Sequence, residues 1–254
     1  MEFDCFVTGH RGKIRENNED NACANGFYCD NDNALTWGHE CDSASMLLAA
    51  VFDGLGGEAH GEVASKLAAM KLSAIADKDF TKEVEKYVAD TNSEIALYDV
   101  GNNIGTTFAA FYVKDNIYHF YNIGDSRVYL CRNGELTQMT RDHNLVRRMQ
   151  REGILTKEQA DRHPQRNSIS QFLGMKEHGI VIQPECYIKE HVAAMHGDIV
   201  LACTDGLTEM VSDEDICRRL SMEGSVREKA QDLIQMALDA GGRDNVTIVL
   251  AQST

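Results

Sequence analysis

The 254-residue sequence predicts an α+β fold in one continuous domain. Three observations carry that expectation. Residues 62–76 and 81–98 repeat apolar side chains at helical spacing, whereas residues 107–131 read as strands joined by very short connections, which makes them antiparallel neighbours. With only 2 prolines, and no internal repeat or low-complexity segment, nothing divides the chain.

Taken in order, residues 26–45 are rich in Asp, Asn and Gly and read as a hairpin or long loop, and residues 45–52 follow as a buried strand. The first helix places Val63, Leu67, Met70, Leu72 and Ile75 on one side, and the second does the same with Val84, Val88, Ile95 and Leu97. Strands are predicted over 107–113, 117–123 and 127–131. The polar, mixed-charge stretch 141–171 reads as exposed helix. Strands resume at 180–188 and 199–203, and a last helix over 226–240 precedes a final strand over 246–251.

Composition narrows the function. Lys and Arg number 25 against 40 Asp and Glu, a net charge of −15, and 43% of residues are hydrophobic. Such a chain is globular and is repelled by a nucleic-acid backbone unless basic residues concentrate on one face. The densest basic stretch, Arg147, Arg148 and Arg151, is interrupted by Met149 and Gln150, so no such patch is expected. The longest apolar run, 46–52, is far short of the roughly 20 residues of a spanning helix, and residues 1–4 have no signal-peptide character. The 8 cysteines form no CxxC pair, and Cys131, Cys203 and Cys217 sit in apolar runs; reduced thiols and a cytoplasmic location are expected. Spacing is too irregular for Cys23, Cys29, His39 and Cys41 to read as a zinc site.

Carboxylates recur at strand ends. The runs 47–52 and 199–204 lead into Asp53-Gly54 and Asp205-Gly206, Asp125 follows the run 120–124, Asp244 precedes 245–250, and Glu19-Asp20 lies near the N-terminus. Each alone suits an ordinary Asp-Gly turn. Gathered at one end of a sheet they would repel one another unless a cation sat among them, and hard divalent ions such as Mg2+ or Mn2+ take such oxygen ligands. Arg15 stands just before Glu19-Asp20 and offers a fork that matches phosphate; a plain surface ion pair is the alternative.

These residues fall within six ordered motifs: Arg15-Glu-Asn-Asn-Glu-Asp20, Asp53-Gly-Leu-Gly-Gly57, Gly105-Thr-Thr107, Gly124-Asp-Ser-Arg127, Thr204-Asp-Gly-Leu207 and Asp244-Asn-Val-Thr247. Together they resemble the metal-dependent serine/threonine protein phosphatases of the PPM (type 2C) family. Asp142-His143, His163-Pro-Gln-Arg-Asn167 and Leu173-Gly174 resemble the flap region of its bacterial branch. The resemblance implies two antiparallel β-sheets packed as a central sandwich flanked by helices on both sides, with residues 1–254 as a single catalytic domain and 141–174 as a mobile flap that selects substrates. It also implies two Mn2+ or Mg2+ ions. Asp53 bridges them, the Gly54 carbonyl binds one, Asp205 and Asp244 hold the first, and Glu19 reaches the second. Asp125 with Asp205 makes a third-metal site, Arg15 holds the phosphate and Asp20 orients water. The implied reaction is direct hydrolysis of phosphoserine or phosphothreonine in proteins, a serine/threonine kinase among the implied substrates, by a monomeric enzyme.

Some positions depart from the pattern. Leu55 stands where animal members carry a histidine, which leaves the acid for the leaving group unassigned; His10 and Thr204 replace a frequent aspartate and a serine. Two rivals share features of the site. A phosphopeptide-binding regulatory protein on the same scaffold would have lost carboxylates that are all present here. A two-metal nuclease would need a basic groove. The GxxxxGK[ST] loop of nucleotide-driven enzymes is missing from the sequence.

Overall fold

Two six-stranded antiparallel sheets face each other in the computed structural model, which describes residues 1–31, 35–56, 60–98, 104–165 and 168–254. The first half of the chain contributes β1 (Phe3–His10), β2 (Asn21–Ala24), β3 (Phe27–Tyr28), β4 (Thr36–Ala44), β5 (Leu47–Phe52), β6 (Gly54–Leu55), α1 (Gly61–Ser73) and α2 (Phe80–Tyr98). The middle contributes β7 (Gly105–Thr106), β8 (Phe108–Lys114), β9 (Ile117–Ile123), β10 (Arg127–Arg132), β11 (Glu135–Gln138), α3 (Leu145–Arg151) and α4 (Lys157–Asp161). Next come β12 (Lys176–Glu177), β13 (Ile180–Val181), β14 (Tyr187–Ala193) and β15 (Ile199–Cys203). The chain closes with α5 (Asp205–Thr208), α6 (Asp213–Ser221), α7 (Val226–Asp239) and β16 (Val246–Ser253).

One sheet runs β11-β10-β15-β16-β1-β4 and the other β14-β9-β8-β5-β2-β3. The central strands β5 and β15 are apolar and buried at every position because both faces are covered. In β16, Val249 and Ala251 point into the sandwich, while Ile248 and Leu250 face α6 and α7. In β5, Leu47, Ala49 and Val51 point inward, and Leu48, Ala50 and Phe52 meet α1 and α2 through Phe80 and Tyr87. Three apolar layers result, with helices outside each sheet. Among the described residues no helix is long and apolar enough to cross a membrane.

Several local expectations are corrected. Within 26–45 the described residues form two edge strands rather than a hairpin or long loop: β3, paired with β2, and β4, in register with β1 (Cys5 opposite Cys41, Gly9 opposite Trp37). The Trp37 ring lies on Gly9, where a Cβ would meet it at 2.6 Å, so the tryptophan fills space that only glycine leaves. The expected strand over 180–188 is instead β13 and β14, and the polar stretch 141–171 holds two short helices, α3 and α4. Strand β1 and helix α6 lie outside the sequence expectations. All eight cysteines are free thiols, but Cys217 is half-exposed rather than buried.

Candidate active site

Antiparallel pairing brings the carboxylate-bearing strand ends to one end of the sandwich. His10, ending β1, pairs with Val246, beginning β16; Cys203, ending β15, pairs with Ile248; and Phe52, ending β5, pairs with Asn21, beginning β2. Phe108 pairs with Ile123 at the same end of β8 and β9. Asp53, Asp125, Asp205, Asp244 and the pair Glu19-Asp20 are the residues that continue or precede these strands, so the fold gathers them.

The backbone around them is held closely. The Asp53 carbonyl accepts from the Thr107 amide and the Thr106 hydroxyl, both at 2.9 Å, and the Asp53 amide donates to Thr107 Oγ1 at 2.9 Å. That gives the Gly105-Thr-Thr107 motif a physical role as the clamp on Asp53. Gly54 allows an approach no side chain would permit, since a Cβ there would lie 2.4 Å from the carbonyl oxygens of Glu19 and Gly61. Ser65 of α1 donates to the Glu19 carbonyl at 2.6 Å. Thr204 Oγ1 donates to Asp20 Oδ2 at 2.8 Å and accepts from the Thr247 amide at 3.0 Å, tying β2, β15 and β16 together beneath the cluster.

Charge crowding is the dominant electrostatic feature. Burial pushes the Asp53 carboxyl well above its usual range, and Asp205, Asp20, Asp125 and Asp244 reinforce the shift. Burial likewise raises Asp125, with Asp205 adding and Arg127 opposing. Asp205 is raised by burial and by Asp244, and a hydrogen bond with Asp53 works the other way. Burial raises Asp20 against the Thr204 hydrogen bond. Burial and the neighbouring Glu62 raise Glu19. The guanidinium of Arg15 reaches this group: its Nη2 lies 2.6 Å from Asp244 Oδ2. Among the described residues no three side chains close into a ready metal cage.

The donor set nevertheless suits hard divalent cations, since it consists entirely of oxygens on several separate elements. Asp125 Oδ1 is buried without a hydrogen-bond partner, which is costly unless a cation or water satisfies it. Sequence reasoning passed over two further residues. Glu62, in the first turn of α1, has a buried Oε2 with no partner and stands close enough to perturb Glu19. Asn245 accepts from the Glu19 amide at 2.8 Å and donates to the carbonyls of Arg11 and Asn17 at 2.9 Å, so it shapes the loop that carries Arg15. Its position beside Asp244 was the available signal. Of the motif residues, Gly57, Arg166 and Asn167 lie outside the described residues.

The flap motif Asp142-His143 docks on the turn after β9. Arg127 Nε and Nη2 grip Asp142 at 3.0 and 2.7 Å, and the His143 amide donates to the Gly124 carbonyl at 2.8 Å. The far end of the segment is tied to β7 by paired Leu173–Thr106 backbone bonds of 2.8 and 3.0 Å.

The protein phosphatase 2C profile matches residues 13–246. The chain belongs to the protein phosphatase 2C family. This family consists of metal-dependent serine/threonine protein phosphatases, and the order of motifs, the sandwich and the carboxylate end all agree with membership. Serine/threonine protein phosphatase PstP of Mycobacterium tuberculosis is 38% identical over 250 residues, covering 95% of this chain and 43% of that protein, so the chain spans less than half of that relative. Serine/threonine phosphatase stp of Listeria monocytogenes is 34% identical over 255 residues, covering 95% of this chain and 92% of the relative. The crystal structure of the catalytic domain of PstP in complex with 2 manganese ions superposes with a TM-score of 0.77 at 33% identity, covering 98% of each chain.

Proposed function

We propose that this chain, read as one catalytic domain over residues 1–254, hydrolyses phosphoserine and phosphothreonine in proteins with two Mn2+ or Mg2+ ions at the carboxylate end of the sandwich. The observation that carries the reading is the convergence there of carboxylates from five separate strand ends, with Arg15 among them. Asp53, Asp205, Asp244, Glu19 and the Gly54 carbonyl would hold the ions, and Asp125 with Asp205 offers a third position. When bound, such ions lower the pKa of a water and offset the charge on phosphoryl oxygens.

The chain's own residues supply positioning. Thr106 and Thr107 fix the Asp53 backbone, Asn245 fixes the loop of Arg15 and Glu19, and Arg15 offers a planar fork to the phosphate. Asp20, held by the Thr204 hydroxyl, can orient a water and accept its proton. Position 55 is leucine, so the proton for the departing serine or threonine comes from elsewhere. Phosphoproteins are the substrates in this reading, a serine/threonine kinase among them.

Phosphate release from a phosphothreonine peptide, with a phosphotyrosine control, tests it. Rapid release with Mn2+, little from phosphotyrosine, and none after EDTA are expected. Full activity in EDTA would overturn the metal assignment.

A further inference from the structure

Beside the carboxylate cluster lies a cavity of the opposite character. It measures about 380 Å³, between α3 and the β10–β11 hairpin, and Arg127, Arg141, Arg147, Arg151 and Lys157 line it. Asp142 and Asp213 are the acidic residues of its wall among those described. A neighbouring cavity of about 270 Å³ opens onto Asp125 and Asp205, and the two share Arg127, Asp142 and Arg147 as a common wall. The expectation of no basic concentration is thereby corrected. Cations spread over residues 127–157 look diluted in sequence, but the fold brings them round one concavity.

The two aspartates do not balance these cations. Asp142 is saturated by Arg127 and by Gln138 Nε2 at 2.8 Å; Arg147 is itself engaged, pairing with Asp142 at 3.8 Å and donating to Gln150 Oε1 at 2.9 Å. Asp213 accepts the Tyr129 hydroxyl at 3.0 Å. Arg151 reaches only the Asp142 carbonyl, at 3.3 Å, and Arg141 lies over the Tyr187 ring at 4.7 Å. In a chain of net charge −15, the local gathering of Arg141, Arg151 and Lys157 around one concavity suits an anion. Its volume of about 380 Å³ admits a compact anionic group such as one phosphate.

We infer that this cavity holds a second phosphate of the same substrate, so that the preferred substrate carries two phosphorylated residues close in sequence, one at the carboxylate end and one among the arginines. The inference rests on the phosphatase reading above, and no bond is made or broken in the basic cavity. Phosphate is favoured over a carboxylate because it offers more oxygens and up to twice the charge to several forks at once.

Kinetics with a peptide series tests it. One phosphothreonine stays fixed, and a neighbouring position, moved stepwise to either side, carries phosphothreonine, glutamate or alanine. With Mn2+ present, the best doubly phosphorylated peptide should exceed its alanine counterpart by about tenfold in kcat/KM, mainly through KM, with glutamate between them. The advantage should shrink with added salt. In Arg151→Gln/Lys157→Gln, whose side chains are exposed and whose fold circular dichroism can check, the ratio should fall towards one. Equal kcat/KM for all peptides overturns the inference and leaves the phosphatase reading standing, as does an advantage that survives in the double variant. Failure to hydrolyse even the singly phosphorylated peptide overturns the phosphatase reading and this inference with it.

Discussion

Strands β10 and β15 lie side by side and finish differently at their two ends. At one end Arg132 grips Asp198 through Nε and Nη2, both at 2.7 Å, and the aspartate is only 1% exposed. At the other end Asp205 follows β15 and Asp125 precedes β10. Arg127, the guanidinium that offsets Asp125, is already committed to Asp142, and Arg15 is paired with Asp244. The same pair of strands therefore closes one buried carboxylate with its own cation and leaves others raised by burial and by one another. Where an aspartate serves only the fold, the chain supplies the counter-charge; where none is supplied, the site calls for an external one.

The comparison can be broken from either end. Asp205→Asn should lower Mn2+-dependent phosphate release by about a thousandfold while circular dichroism stays native, since it removes a shared oxygen donor. A wild-type rate would show the open end to be structural. Asp198→Ala should do the reverse, costing about 3 kcal/mol in urea unfolding because Arg132 is left without its partner, with activity per folded molecule retained. A loss of activity at constant stability would erase the distinction between the ends. Mn2+ at a hundredfold excess over its Kd should stabilise the wild-type chain by about 2.7 kcal/mol per ion. Thermal unfolding should show little of this gain in Asp205→Asn. The smallest effect is expected at Asn245→Ala, about tenfold in kcat/KM with metal affinity largely kept, because it loosens the loop of Arg15 without removing a carboxylate; unchanged kinetics would remove Asn245 from the positioning network.

Four carboxylates of the open end, Asp53, Asp125, Asp205 and Asp244, were legible in the sequence because each stands beside an apolar strand, and strand ends are where such runs stop. The closed pairs were not legible. Arg132 and Asp198 are 66 positions apart, and only the β10–β15 register brings them together. Asn245 was hidden for a different reason: its three hydrogen bonds go to backbone atoms, which leave no mark on the partner sequence. Strand β4 escaped notice because an edge strand exposed on most positions shows neither the apolar run nor the clean alternation that marks a strand. The basic cavity depends on five side chains from β10, α3, α4 and the chain between them, separated in sequence by polar and apolar residues that dilute the cations until the fold gathers them.

The edges of the two sheets carry a consequence of their own. β3 is two residues long and β11 four, β14 breaks its register between Lys189 and Val192, and β4 presents His39, Glu40 and Asp42. Among the described residues a colliding copy meets short or broken edges at β3, β11 and β14, and at β4 a nine-residue edge guarded by charged side chains. Edges of this kind disfavour templated growth into fibrils, to which inner strands rich in valine and alanine would be open if bared.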